Sequence, residues 1–317
     1  MTLDRRTLLA GLAAVPALSH RARAGQTLRI GYQKNGALVI LRRQATLEAL
    51  FAPLGVTISY VEFNSGPPLL EALGANAVDF GATGDTPPIF AQAAGVDLVY
   101  VGAQPVRGNN QAIIVRDGGP VKTLADLKGR KLAYTRGSSA HNVVVKALAR
   151  AGLTPSDIQT VALQPPDAIA AFRNGSIDAW AIWDPFLAIA QQDPATKVLV
   201  QGIDVAPSNS FFLASRAWAE RSPGQVQTLL DAINGAAAWA VSHPDELAGL
   251  MAQVTGVPIE AQRVAAPRGV YAVQKLDAGI IAQQQEIADT FARLKIIPAP
   301  IDIRKLVWTP PTTRAAL

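Results

Sequence analysis

Gly137-Ser138-Ser139 places a glycine and two hydroxyls where a strand-like run turns into a helical one. A helix start leaves N–H groups without intrahelical partners at the positive end of the dipole, which suits an oxyanion. The glycine lets the backbone come close to a ligand. Thr83-Gly84-Asp85-Thr86 repeats the pattern, and Gln33-Lys34-Asn35-Gly36, Asn64-Ser65-Gly66-Pro67, Gln164-Pro165 and Trp183-Asp184-Pro185 are loops of the same kind. Each also has a plainer use, because serine and aspartate favour N-cap positions, so Ser138, Asp85 and Asp184 can simply start helices. Asp184 can equally accept from a ligand hydroxyl or ammonium. Trp180 and Trp183 point to opposite faces of a strand end. Trp183 is assigned to the ligand side. One helix end contributes about 0.3–2 kcal/mol and micromolar binding needs about 8 kcal/mol, so several such ends must converge.

Catalysis has less to work with. The 317-residue chain has no cysteine, which removes disulfides, thiolate nucleophiles, Cys-based zinc sites and thiol-linked lipid anchors. Beyond residue 24 the histidines are His141 and His243. His141, beside the two serines, reads as a polar surface or supporting group rather than a general base. Asp85, Asp184 and His141 could be imagined around a metal, yet nothing in their spacing demands one. No G-x-S-x-G, H-E-x-x-H, Walker A or G-x-G-x-x-G motif occurs. Neither a catalytic group nor a cofactor is expected. Nucleic acid is excluded by charge distribution: of the net +5, residues 1–24 carry +3 through Arg5, Arg6, Arg21 and Arg23 against Asp4. The remaining +2 is too small and too dispersed for a polyanion-binding patch. Arg42-Arg43 and the Lys128, Arg130, Lys131 group read as solvated surface.

The elements that must position the loops follow from periodicity. Leu28–Tyr32, Thr57–Phe63, Val78–Ala82, Leu98–Gly102 and Leu132–Arg136 read as strands. Leu38–Leu54, Pro67–Leu73, Pro87–Ala94 and Asn142–Ala151 read as helices, three of them ended by Gly55, Gly95 and Gly152. Strands alternating with helices imply βαβ units around a mostly parallel sheet. Pro67-Pro68 through Asp79 to Asp85 is matched, with a one-residue slip, by Pro165-Pro166 through Asp178 to Asp184, suggesting two lobes of like topology. Gln111–Val115 would cross outward and Ser210–Ala214 would return. The expected division is lobe 1 over 25–115 plus 214–317 and lobe 2 over 116–213. Arg216 to about Leu294 is mainly helical, with one helix opened by Ser222-Pro223 and another over Asp277–Leu294. Residues 1–24, with Arg5-Arg6, an apolar run Leu8–Leu18 too short to span a bilayer and Ala22-Arg23-Ala24, read as a cleavable export signal of twin-arginine type. The mature chain would then be free in the periplasm.

Glu62–Leu73, Asp79–Pro88, Arg136–His141 and Asp178–Pro185, with Gly31-Tyr32-Gln33-Lys34 and Leu124–Gly129, closely resemble the aliphatic sulfonate-binding proteins of ABC importers over roughly Leu28 to Arg216. The resemblance implies a type II periplasmic binding protein, that is, two α/β lobes around a ligand cleft with a two-stranded hinge. It would place a sulfonate among Gln33, Ser65, Thr83, Gly84, Ser138 and Ser139, with Trp183 and Asp184 along the alkyl side. The partners it implies are a small-molecule sulfonate and the permease subunits of the transporter, docked at the inner membrane, with the binding protein a monomer. Related proteins take taurine, nitrate or pyrimidine precursors of thiamine, and an enzyme of the precursor-synthase kind shares the fold, so these stand as alternatives. A sulfonate is a permanent monoanion, so neutral donors suit it and release it more readily than an arginine clamp would.

Overall fold

The computed structural model describes residues 26–105 and 109–310. The export segment expected at 1–24 lies outside the described residues. The first part of the chain runs β1 (Gln26–Tyr32), α1 (Ala37–Gln44), α2 (Thr46–Phe51), β2 (Val56–Glu62), α3 (Gly66–Gly74), β3 (Phe80–Thr83), α4 (Thr86–Ala93) and β4 (Leu98–Gln104). Then come β5 (Gln111–Arg116), β6 (Lys131–Tyr134), α5 (Ser139–Arg150), β7 (Gln159–Ala162), α6 (Pro165–Arg173), β8 (Ala179–Trp183), α7 (Phe186–Ala190), β9 (Thr196–Gln201), α8 (Gly202–Val205) and β10 (Ser210–Ser215). The helical remainder is α9 (Arg216–Arg221), α10 (Pro223–Ser242), α11 (Pro244–Thr255), α12 (Ile259–Ala265) and α13 (Ala278–Arg293).

The strands form two five-stranded sheets, ordered β2-β1-β3-β10-β4 and β7-β6-β8-β5-β9. Each has a parallel core, β1 with β2 and β3 in one, β6 with β7 and β8 in the other. Each then takes an antiparallel strand into its fourth position. The two lobes therefore share one topology, and the ligand-side loops lie at equivalent strand ends.

The crossings differ from the sequence expectation. Gln111–Val115 was assigned to the first lobe, but β5 pairs with β8 from Gln111↔Trp183 to Val115↔Ala179. Residues 210–213 were assigned to the second lobe, but β10 pairs with β3 and β4 of the first sheet. Both strands carry unbroken apolar runs buried on both faces, including Ile113, Ile114, Phe212 and Leu213 at 0% exposure. Such runs are stable as interior strands, so each completes the sheet it enters. The chain crosses between the sheets after β4 and again after β9, the second connection carrying α8.

The helix expected over Leu38–Leu54 is also interrupted. Ala45 adopts φ 52, and its N–H bonds the carbonyls of Leu41 and Arg42 before α2 begins. Leu41 and Leu47 are both buried, but six positions on one helix would set them about 120° apart. The break re-aims the second segment so that Leu47 and Phe51 meet the same core.

The helical remainder belongs to the first lobe. Leu229, Ile233 and Ala236 of α10 and Leu247 and Met251 of α11 join the cluster built on Leu28, Ile30 and Leu41, while Ile287 and Phe291 of α13 pack with Leu69, Leu73 and Tyr100. The second lobe has its own core around Ile113, Leu132, Val144 and Ile182.

Candidate functional site

A cleft between the lobes holds ≈ 150 Å³ and collects loop residues from both sheets. From the first lobe come Gln33, Thr83, Gly84 and Asp85; from the second come Ser138, Ser139, Trp183 and Asp184. These eight of the ten residues singled out in the sequence share one cavity wall. Ser65 and Gly137 stand one residue away from the lining positions Gly66 and Ser138. Ser65 is fully buried and its hydroxyl donates to Gln164 Oε1 of the opposite lobe at 2.9 Å. Gly137 has φ +76, a left-handed turn that glycine adopts without strain.

Backbone of the first lobe closely approaches the second at Gly84. A Cβ there would stand 2.7 Å from Ser139 Cβ, so the absence of a side chain is what allows the two helix starts to face each other. The serine hydroxyls are already donating: Ser138 Oγ to the Thr135 carbonyl at 2.7 Å and Ser139 Oγ to Gln111 Oε1 at 2.7 Å. With both hydroxyls committed as donors, the donors left at these junctions are the free N–H groups at the starts of α4 and α5. Gln33 Nε2 is likewise committed, to the Ala82 carbonyl at 3.0 Å.

Among the described residues, the ionisable groups lining the cleft are engaged. Lys34 Nζ donates to the Thr255 carbonyl at 2.5 Å and pairs with Glu62 at 3.1 Å. Asp85 is almost wholly buried, and burial raises its pKa against hydrogen bonds from Ser208, Asn142 and Thr86. Asn142 of α5 donates to Asp85 Oδ2 at 2.6 Å, another link between lobes. Asp184 is pushed up to about 6 by burial, opposed by Arg268 and the Ala188 N–H. Its Oδ1 accepts from Ala188 at 3.1 Å, the plainer capping use, and its carbonyl accepts from Asn35 of the first lobe at 3.0 Å.

Trp183 lines the cleft while Trp180 packs on Phe172 in the second core, ring centroids 6.0 Å apart. Of the two readings the sequence left open for His141, surface or supporting group, the surface one is overturned. It is buried at 4% exposure, stacked on Tyr134 with centroids 4.9 Å apart, and set against Phe90 and Phe291 of the other lobe. Burial, helped by Arg136, lowers its pKa to about 4, so it is neutral, and its Nδ1 accepts the Gly137 N–H at 3.3 Å. Among the described residues no group of three His, Cys, Asp or Glu side chains could hold a metal ion, so Asp85, Asp184 and His141 do not form one.

Sequence reasoning missed two parts of the wall. The crossings and the strand ends that flank them supply Gln104, Asn110, Gln111 and Asn209, and the helical remainder supplies Met251, Ala265, Ala266, Val270 and Tyr271. The first set is legible as amide-rich loops of the kind already flagged elsewhere. The second set is apolar and carries no mark that separates a cleft wall from core.

This architecture is matched by known proteins. The family described as NMT1/THI5 like matches residues 46–247. The chain belongs to that family. It is 41% identical to an Escherichia coli (strain K12) protein named as aliphatic sulfonates-binding, over 95% of each chain. Two solved structures share the fold. The periplasmic aliphatic sulphonate binding protein SsuA from Escherichia coli superposes with a TM-score of 0.81 at 41% identity, covering 90% of this chain and 92% of its own. The alkanesulfonate-binding protein SsuA from Xanthomonas axonopodis pv. citri, bound to MOPS, gives 0.85 at 38% identity, covering 89% and 98%. The fold is that of a type II periplasmic binding protein.

Proposed function

We propose that the protein captures an aliphatic sulfonate in the periplasm and delivers it to the permease of an ABC importer, without chemical conversion. The observation that carries this reading is the convergence of uncharged donors from two opposed strand-to-helix junctions, in a cleft whose ionised side chains are, among the described residues, already paired. A monoanion that cannot donate a proton fits such a site, and its release requires no arginine clamp to be broken. In this reading the sulfonate oxygens lie against the N–H groups at Gly84–Asp85 and Ser139–Ala140, with the Ser65 and Gly137 turns behind them and Gln33, Thr83 and Asp85 alongside. The alkyl group runs along Trp183 and Asp184 toward Met251, Ala266 and Tyr271. The high identity to sulfonate-binding relatives over nearly the whole chain supports the same ligand class. Residues 1–24 act as the export signal, and the mature protein works as a monomer.

The test is titration calorimetry of purified residues 25–317 with alkanesulfonates, MOPS, taurine, sulfate, nitrate and a hydroxymethylpyrimidine. A sulfonate is expected to bind at about micromolar strength, near 8 kcal/mol, and to be recovered unaltered by mass spectrometry. Silence of every sulfonate together with binding of nitrate or the pyrimidine would overturn the reading.

A further inference from the structure

Closure of this cleft buries a carboxylate beside the space proposed for an anion. Asp184, from the second lobe, is 6% exposed, and its Oδ2 is buried without a hydrogen-bond partner. The cation facing it, Arg268, sits in the turn after α12 of the first lobe, with Nη1 3.6 Å from Asp184 Oδ2 and 3.0 Å from Gln191 Oε1. Arg268 is not itself a lining residue of the cleft. The seam is continued by packing: Val257, Ala261 and Ala265 of the first lobe form one apolar cluster with Ala188 on α7.

We infer that Arg268 is a positioning residue for anion capture: reaching from the first lobe, it neutralises the Asp184 carboxylate of the second, so that the lobes can close on an anion beside it. This rests on the proposed anion-capturing role. Opening the hinge parts the two residues into water. Closing brings Asp184 into a site with little solvent, and a buried charge stripped of its partner is strongly disfavoured. An adjacent anion adds like-charge repulsion to that cost.

The other groups around Asp184 do not replace the arginine. Tyr271 is held neutral by burial and by Asp184 itself, and its hydroxyl donates to the Ala266 carbonyl. Asn35 reaches only the Asp184 carbonyl, α7 offers only the Ala188 N–H, and Lys34 is held by Glu62 and Thr255. Because burial outweighs Arg268, the carboxyl titrates at about 6 in the closed form, above its ordinary value near 3.9. Closing therefore takes up protons between those values, and affinity rises as pH falls through that range.

The test uses the mature protein and butanesulfonate, an anion whose charge is constant, titrated calorimetrically from about pH 8 to about pH 5. Arg268→Gln is expected to bind at least about tenfold more weakly at the alkaline end, with the loss shrinking toward the acid end as Asp184 takes a proton. Arg268→Lys should stay within about threefold of wild type, because the charge is kept. Asp184→Asn should flatten the pH profile, and in that background Arg268→Gln should cost less than about threefold. A loss that is the same at every pH and in both backgrounds would mark Arg268 as merely structural. Wild-type affinity for Arg268→Gln at the alkaline end would overturn the inference while leaving sulfonate capture standing. Wild-type protein that binds no sulfonate would overturn both.

Discussion

Gly84→Ala isolates lobe closure from folding. The added Cβ would stand 2.7 Å from Ser139 Cβ and 3.0 Å from Ser139 Oγ, where carbon atoms prefer about 3.5–4 Å. Gly84 lies in the β3–α4 loop of the first lobe and Ser139 at the start of α5 in the second. The overlap of about 1 Å therefore falls between bodies that can part, rather than inside either. Backbone strain does not enter, since Gly84 is not among the positive-φ glycines. Overpacking of this size costs about 1–3 kcal/mol, and here the cost falls on the closed form. Sulfonate affinity should drop about 5- to 150-fold, while the ligand-free melting temperature stays near that of wild type. Small-angle scattering with saturating ligand should show a radius of gyration closer to that of the open protein. Gly84→Ala combined with Ser139→Gly removes the atoms that clash, so most of the affinity should return. A single variant binding within about twofold of wild type, or a double variant no better than the single, would refute the reasoning.

Gly66→Ala should act on stability instead, since its Cβ would meet Pro87 Cγ at 2.5 Å and Thr83 Cβ at 3.1 Å within one lobe. No hinge relieves that contact, and urea unfolding should show a loss of about 1–3 kcal/mol; an unchanged midpoint would count against it. His141, lowered to about 4 by burial, contributes stability that is complete above its ordinary pKa near 6.5 and is lost as pH falls toward 4, up to about 3 kcal/mol. His141→Phe should flatten that part of the melting-temperature profile, and parallel profiles for the two proteins would contradict the assignment. Asp85→Asn should melt within a few degrees of wild type, because Asn142 Oδ1 lacks a partner and a turned amide lets it accept from the new side chain. Asp85→Ala leaves the Asn142 and Thr86 donors unpaired and should cost about 1–3 kcal/mol by the same assay.

The legible parts of this protein are those where local pattern and tertiary use coincide. Strand-to-helix loops carry small and hydroxyl residues because the helix starts require them, and the same chemistry lines the cleft, so Thr83-Gly84-Asp85 and Ser138-Ser139 stood out. The surface alternative for His141 survived only for want of a period count. His141, Val144, Val145 and Leu148 follow the spacing of one helix face, and all four are buried. The lobe boundaries were displaced because an apolar run such as Ala112–Val115 announces an interior strand without saying which sheet receives it. That choice depends on which sheet offers an open edge beside an existing strand, a property of the assembled lobes. The cleft wall from α11 to Tyr271 was illegible for a related reason, since Met251, Ala266 and Tyr271 join the core cluster of the first lobe while also facing the ligand space.

The placement of the crossing strands bears directly on how capture is coupled to closure. The connections that feed β5 and β10 both contribute to the cleft wall, through Pro105 and Asn110 on one and Asn209 on the other. Asn209 donates to the Gln104 carbonyl at 2.9 Å, joining one crossing to the other, and Gln104 Nε2 reaches the Val270 carbonyl at 3.0 Å. Gln111 accepts from Ser139 at the start of α5, so the outward crossing is tied to the helix end that faces the proposed anion. A ligand that orders Ser139 therefore also holds the point where the outward crossing enters the second lobe, without a relay through either core. Gln111→Ala should loosen that tie, and its effect should fall on the rate of ligand release more than on capture. Stopped-flow dissociation of a sulfonate should be faster in the variant with association little changed; an unchanged release rate would place the coupling elsewhere.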